Sequence, residues 1–464
     1  MKPLPRALTT VLRPFSAVKR RSISFVTNLE NPDDTALSKW RPSTHCMPDG
    51  LSMMEVLQRD TLVRRFVPLA MQWGATVYSA LVSLGLSVLF ARSMGSSAFG
   101  HYTYIYVLVS VLVLAQDAGF NALLMRERTS PSPALSARYP ELPGTALLHL
   151  LVTTLCFMLI TGLLHRWLDS SSLIAGIFCF AMITLTQWQS SWFKGAGQFK
   201  RDALFLFCGR TVSAVFVLVS VLILGAAPVP IFLAWGIGLL LTVACHYRNF
   251  PALRQIEWRL PVWAYRSSLS FFAVGLASTL YHQIDIVILR HLLGEVPSIG
   301  HYAVATRIQD GLMALATPVA LMLFRRMRIL AAESDRSSHF SRNAVLGAAS
   351  VGLLLAVGGW VLGPWVVGIL FGTAYSEGAH TIIRLLFTGL IFALPNYILA
   401  QHAIATQQER WFATCLLFAV GMNIALNFSL IPVMGIDGAA LATVLTELCL
   451  CCALCWRLRR TLFC

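Results

Sequence analysis

The sequence predicts an all-α integral membrane protein: twelve transmembrane helices in two parallel-repeat six-helix lobes, with both termini cytoplasmic. Three observations lead there. Twelve long apolar runs follow residue 66, basic residues alternate between rich and poor connections, and one short motif recurs 200 residues along the chain. The composition agrees. Hydrophobic residues make up 56% of the 464 and charged residues 12%, against roughly a quarter charged in soluble domains. So few charges cannot coat a soluble protein of this size, which excludes a soluble enzyme and a disordered chain. The net charge of +15 is then no sign of a nucleic-acid partner, because membrane proteins hold Lys and Arg on their cytoplasmic connections.

Residues 1–58 differ in kind. They carry eight Lys/Arg and five Asp/Glu with scattered Pro and Ser, and no apolar core of the sort a secretory signal needs. The expectation is a disordered cytoplasmic tail or an over-long start, with Met53 or Met54 as a natural start. An Arg- and Ser-rich transit peptide is the alternative.

A bilayer core of about 30 Å takes roughly 20 apolar residues per helix. The expected spans are 68–91, 101–124, 144–165, 173–193, 203–225, 231–247, 268–289, 300–324, 343–364, 380–401, 412–430 and 438–456. Each is apolar all round, unlike an amphipathic surface helix. Seven connections and flanks share twenty-two Lys/Arg, from Arg59 to Arg460, and the alternating set holds only Arg92, Arg166 and Arg290. The positive-inside rule makes the rich set cytoplasmic. The outer connections are short, the longest being roughly 365–379, which leaves no outer domain for a receptor or a glycan polymerase.

After the first span the chain reads Arg92-Ser-Met-Gly95-Ser-Ser-Ala-Phe-Gly100-His101-Tyr102, and after the seventh Arg290-His-Leu-Leu-Gly294-Glu-Val-Pro-Ser-Ile-Gly300-His301-Tyr302. Equal placement in two outer turns indicates duplication into lobes at 59–262 and 263–464, related by an axis along the membrane normal. Transporters are often built so, with the substrate path between the halves.

At these residues the chain resembles the Wzx-type polysaccharide flippases of the multidrug/oligosaccharidyl-lipid/polysaccharide exporter superfamily. Phe90 to Tyr102 with Asp117-Ala-Gly-Phe-Asn121 carries the resemblance in the first half. Gln283-Ile-Asp285 through Arg307, and Asn423-Ile-Ala-Leu-Asn427 through Thr443, carry it in the second. It extends over roughly residues 60–456. The twelve-span count suits these flippases better than the peptidoglycan-precursor flippases, which typically have two more spans. The resemblance implies translocation of a polyprenyl-diphosphate-linked oligosaccharide from the cytoplasmic to the outer leaflet of a bacterial inner membrane. Two lobes would rock between inward-open and outward-open forms, for O-antigen or exopolysaccharide synthesis. A polymerase or glycosyltransferases of the same pathway are the implied partners, besides the membrane lipid itself.

Ionisable residues inside spans are costly and therefore candidates for function. Arg210 and Arg307, one in each half, are the expected diphosphate ligands, since Arg offers a planar fork to phosphate oxygens. Arg307 could instead pair with Asp310 one turn on. Arg384 lies one turn into its span, either touching substrate or snorkelling. His282 and Asp285 share a face as a candidate proton pair or as an interhelical hydrogen bond. Asp117, Asp310 and Glu447 are further candidates for proton or ion coupling. Asp117, with Gln116 and Asn121, also suits helix-to-helix bonding, as do Asn423 and Asn427. Trp188 and Trp192 read as an interfacial belt. The Cys cluster 449–455 lacks partners for a zinc site and reads as packing. No nucleotide loop and no metal motif occurs in the sequence, so no cofactor or metal is expected, nor an enzyme. The competing function is a cation- or proton-coupled multidrug exporter of the same fold, which acids inside the spans would serve and the arginines would oppose.

Overall fold

The computed structural model describes residues 53–129, 139–167, 169–250, 259–294, 297–330, 334–406 and 408–462. The tail expected at 1–58 lies outside these residues as far as position 52. From Met53 the chain is helical. Residues 64–464 form one compact unit, described below.

The first helix, α1, runs Met53–Asp117 but breaks at Gly95, whose φ of 76° and ψ of 172° are not helical. That backbone is open to glycine because it has no Cβ to clash. The break folds the chain back. The rings of Phe90 and Tyr102 lie 5.4 Å apart, although twelve residues of straight helix span about 18 Å. The two limbs of α1 are therefore separate crossings. The other crossings are α3 (Leu142–Leu163), α4 (Ser170–Gly195), α5 (Phe199–Leu224), α6 (Pro228–Cys245), α7 (Val262–Leu293), α8 (Pro297–Leu330), α9 (Ser334–Phe371), α11 (His380–Ala405), α12 (Glu409–Met434) and α13 (Ile436–Leu462). Among the described residues eleven helices are long and apolar enough to cross a membrane, and the fold in α1 makes twelve crossings. The chain is a multi-pass integral membrane protein.

Two expectations need correction. The second span does not reach residue 124. Ala118 and Gly119 both take positive φ, α1 stops at Asp117, and a separate helix α2 (Phe120–Thr129) follows. The ninth span does not end at 364, because α9 continues to Phe371 and α10 (Thr373–Gly378) fills most of the rest of the connection expected at 365–379.

Helix ends sort by chemistry. Gly95, Gly225, Gly294, Gly372 and Gly435 occupy five of the six turns at one end of the bundle. The sixth is closed by Asp169, which caps the start of α4. We call this the glycine-turn end, and the opposite end, where most Arg and Lys lie, the basic end.

The two halves pack alike. In the first, α4 lies against α2, α3, α5 and α6; in the second, α11 lies against α8, α9, α12 and α13. Each is the fourth crossing of its half, and each is the most enclosed. Close packing needs small residues: a Cβ on Gly238 of α6 would sit 2.6 Å from the Ser213 backbone of α5. The outward surfaces carry large apolar side chains such as Leu159, Leu222, Leu354 and Val361, suited to lipid rather than water.

Candidate functional site

The second limb of α1 and α7 run side by side across the boundary of the halves. Ser110 donates to Gln283 at 2.6 Å, Leu114 touches Gly275, and a Cβ on Gly119 would lie 2.5 Å from the Ser268 carbonyl. The seam leaves a cavity of ≈ 250 Å³ between the first limb of α1, the α5–α6 pair and α8.

Arg210 of α5 and Arg307 of α8 both line that cavity. The Arg210 guanidinium lies 5.3 Å from the Trp235 ring centre and that of Arg307 lies 4.7 Å from Tyr106. The two rings stack on each other at 6.4 Å and 23°. Arginine, tryptophan, tyrosine and arginine therefore form one layered column that crosses from the first half to the second. Such contacts are worth about 0.5–2 kcal/mol each, against about 1.5–3 kcal/mol for a hydrogen bond to a charged group such as a phosphate oxygen. Arg210 Nε is buried and has no hydrogen-bond partner among the described residues. Arg307 keeps a loose pairing with Asp310, 3.8 Å between Nη1 and Oδ2.

A second cavity of ≈ 390 Å³ adjoins the first within the second half, and Arg307, Asp310 and Ala314 line both. Asp285 and Glu447 face it with His282. Asp285 accepts from the Tyr302 hydroxyl and from the Ile286 amide. Glu447 accepts from Tyr281 at 2.8 Å and from Asn396 at 2.7 Å. His282 lines the same cavity as Asp310 and Glu447, and no hydrogen bond joins it to Asp285 among the described residues. The expected pairing thus changes partners, because Tyr302 occupies the Asp285 carboxylate first. Asp310, though enclosed by helices, is 68% accessible because it faces the open cavity.

Two sequence candidates sit elsewhere. Arg384 lines neither cavity. It donates to the Trp360 carbonyl and stacks on that ring at 5.2 Å, on the flank of α9. Asp117 holds the break between α1 and α2, accepting from the Gly119 and Asn121 amides and from Trp188 Nε1 at 2.6 Å. Trp188 is fully buried and Trp192 nearly so, in a cluster with Phe120, Phe205 and Phe250. They are core residues, not a lipid-facing belt, because Trp188 reaches inward to a carboxylate. Asn427 bonds Asn423 within one helix.

Sequence reading missed the aromatic and amide partners: Tyr106 and Trp235 for the arginines, and Tyr281, Tyr302 and Asn396 for the acids. One signal was at hand. Tyr102 and Tyr302 end the two copies of the motif, and both are buried toward the cavities. Tyr106 lies one turn beyond Tyr102, on the same face.

The chain is 27% identical over 173 residues to the probable flippase AglR of Haloferax volcanii, covering 36% of this chain and 35% of that one. The match thus spans about a third of that relative. Among solved structures, the lipid II flippase MurJ in an inward closed conformation superposes with a TM-score of 0.69 at 14% identity, over 83% of this chain and 86% of that chain. A multidrug resistance MATE family transporter of the MOP superfamily, inward-facing, gives 0.59 at 13%, over 86% and 98%. At such identities the likeness is one of fold. The model of the family described as "Polysaccharide biosynthesis protein" matches residues 70–324, more than half of the sequence and all six crossings of the first half; the chain belongs to that family.

Proposed function

We propose that this protein moves a polyprenyl-diphosphate-linked oligosaccharide from the cytoplasmic to the outer leaflet by alternating access, in a bacterial cytoplasmic membrane, and performs no covalent chemistry. One observation carries the reading. Arg210 and Arg307 come from different halves and meet in one cavity, held by aromatic faces rather than by firm salt bridges. That is a site for an anion with several oxygens, able to bridge both halves. Membership of a polysaccharide biosynthesis family and similarity to a probable flippase support the glycan-lipid substrate. The charge asymmetry supports a cytoplasmic basic end, with both termini there and an outer glycine-turn end. The halves are read as lobes at 59–262 and 263–464. A glycosyltransferase would supply the substrate and a polymerase would consume the product.

The test is flipping of a labelled polyprenyl-diphosphate glycan in proteoliposomes. Arg210→Ala and Arg307→Ala should each lower the rate about tenfold to a hundredfold, the worth of one or two charge-assisted hydrogen bonds. Unchanged flipping by the double variant at normal protein level would sink the phosphate role.

A second reading, a cation- or proton-coupled multidrug exporter, draws on Asp285, Asp310 and Glu447 around the adjoining cavity. In the flippase reading these acids, with His282, couple transport to an ion gradient. Arg307 and Asp310 are then the link, since they belong to both cavities. Efflux of a cationic dye that survives Arg210→Ala but not Glu447→Gln would favour the exporter.

A further inference from the structure

At the glycine-turn end each half reaches across to a helix end in the other. Arg92 lies in the last turn of the first limb of α1, just before the break at Gly95. Its Nε donates to the Leu370 carbonyl at 2.7 Å, and its Nη2 donates to that of Ile369. These are carbonyls in the last turn of α9, which the helix itself leaves without partners. A cation is also favoured there by the helix dipole. In return, Tyr375 of α10 donates its hydroxyl to the Ala91 carbonyl at 2.9 Å, near the end of the first limb. The Tyr375 ring is buried, edge-on to Phe99 of the first half and to Phe371 and His301 of its own.

The two motif copies meet between these bonds. A Cβ on Gly100 would lie 2.9 Å from the Gly300 amide nitrogen, and one on Gly300 would lie 2.1 Å from the Ser96 carbonyl oxygen. Backbone therefore rests on backbone, and only glycine fits. The motif histidines serve their own halves in parallel: His101 bonds Asp169 at 3.0 Å, and His301 bonds the Ala374 backbone. The motif thus carries two kinds of contact, one within each half and one between them.

We propose that Arg92 and Tyr375 form the outer latch of the transport cycle, a reciprocal helix-capping clasp that closes the cavity beneath it and must be released for the outward-open state. The proposal rests on the alternating-access reading. The cavity is lined by Ser83, Ser87 and Phe90 of the first limb and by Tyr102, and Phe90 is next in the chain to Ala91, whose carbonyl Tyr375 holds. Parting the halves at this end separates Arg92 from α9 and Tyr375 from α1 in one movement. Two carbonyls of α9 and one of α1 then pass to water, which can hydrate them, so the clasp opens without leaving a buried polar group unpaired.

The test places Ser87→Cys in the cavity and adds a membrane-impermeant maleimide from the glycine-turn side of sealed vesicles, with labelling at residue 87 read by mass spectrometry. In the otherwise unchanged protein labelling should be slow. Arg92→Ala should speed it about tenfold to a hundredfold, and Tyr375→Phe, which removes one hydroxyl, about threefold to tenfold. Arg166→Ala, at the same end but outside the clasp, should leave the rate alone. Equal rates in all four proteins, each eluting as the same folded species, would overturn the latch. Labelling needs no substrate. Faster labelling in Arg92→Ala, beside a parent that flips no glycan, supports the latch and counts only against the transport reading.

Discussion

Single residues in this protein take roles that their position alone does not announce. Asp169 starts α4 at the glycine-turn end, where burial favours its neutral form. Hydrogen bonds from Ser172, His101 and Ser171 outweigh that and hold it down to about 2, below the ordinary carboxylate range. A carboxylate depressed on folding stabilises the native state above its unfolded pKa, and the contribution fades as pH falls through the folded value. The melting temperature of wild type should therefore fall between pH 4 and pH 2 more steeply than that of Asp169→Asn, which thermal unfolding of the purified protein would register. Asp117 teaches a related lesson. An acid deep in an apolar run reads as a coupling candidate, yet its oxygens accept two backbone amides and an indole. Sequence spacing could bring Arg307 and Asp310 onto one helix face. It could not show that Tyr302, not His282, reaches Asp285, because that contact depends on how α7 and α8 pack.

At the level of helices, most of the architecture was legible and the terminations were not. Uniform apolarity marked twelve crossings and the charge alternation checked their number, both visible without knowledge of neighbours. The helices then overrun the expected spans: α7 begins at Val262 rather than 268, and α9 at Ser334 rather than 343. Helical hydrogen bonding continues past the bilayer once an end is packed, and hydropathy does not record this. The opposite error came at Ala118–Gly119, where a positive-φ pair interrupts a run that hydropathy reads as continuous. Helix contacts depend on the smallest residues. Gly238→Ala would push a methyl into the Ser213 backbone, where no flexible side chain can yield. Overpacking of this kind costs about 1–3 kcal/mol, so the variant should melt at a lower temperature and lose fluorescence-monitored stability in detergent, while Gly421→Ala, with open space around it, should not.

At the largest scale, the unit of residues 64–464 is two similarly packed halves joined along a seam, with cavities beside it. At ≈ 250 and ≈ 390 Å³ these lie below and near the bottom of the range of about 300–1,000 Å³ usual for drug-sized ligands, so a ligand larger than that enters only when the halves part. Because each half packs around its own fourth crossing, fragments divided between α6 and α7 should assemble when co-expressed. Co-purification of 1–258 with 259–464 would bear out the two-lobe division, and failure of either fragment to reach the membrane without the other would count against it. The 200-residue repeat made the pairing of Gly100 with Gly300 foreseeable in principle; what the halves hold in each other's grip was not, since backbone carbonyls leave no trace in a sequence. That grip has a consequence for where such a protein can work. Arg92 and Tyr375 hold main-chain carbonyls instead of opposite charges, so dissolved salt can screen the attraction of Arg92 for the α9 dipole but finds no charge on the Tyr375 side. As ionic strength rises at the glycine-turn end the cationic arm of Arg92 weakens while the neutral Tyr375 arm does not, so half of the clasp holds alike in fresh water and in brine.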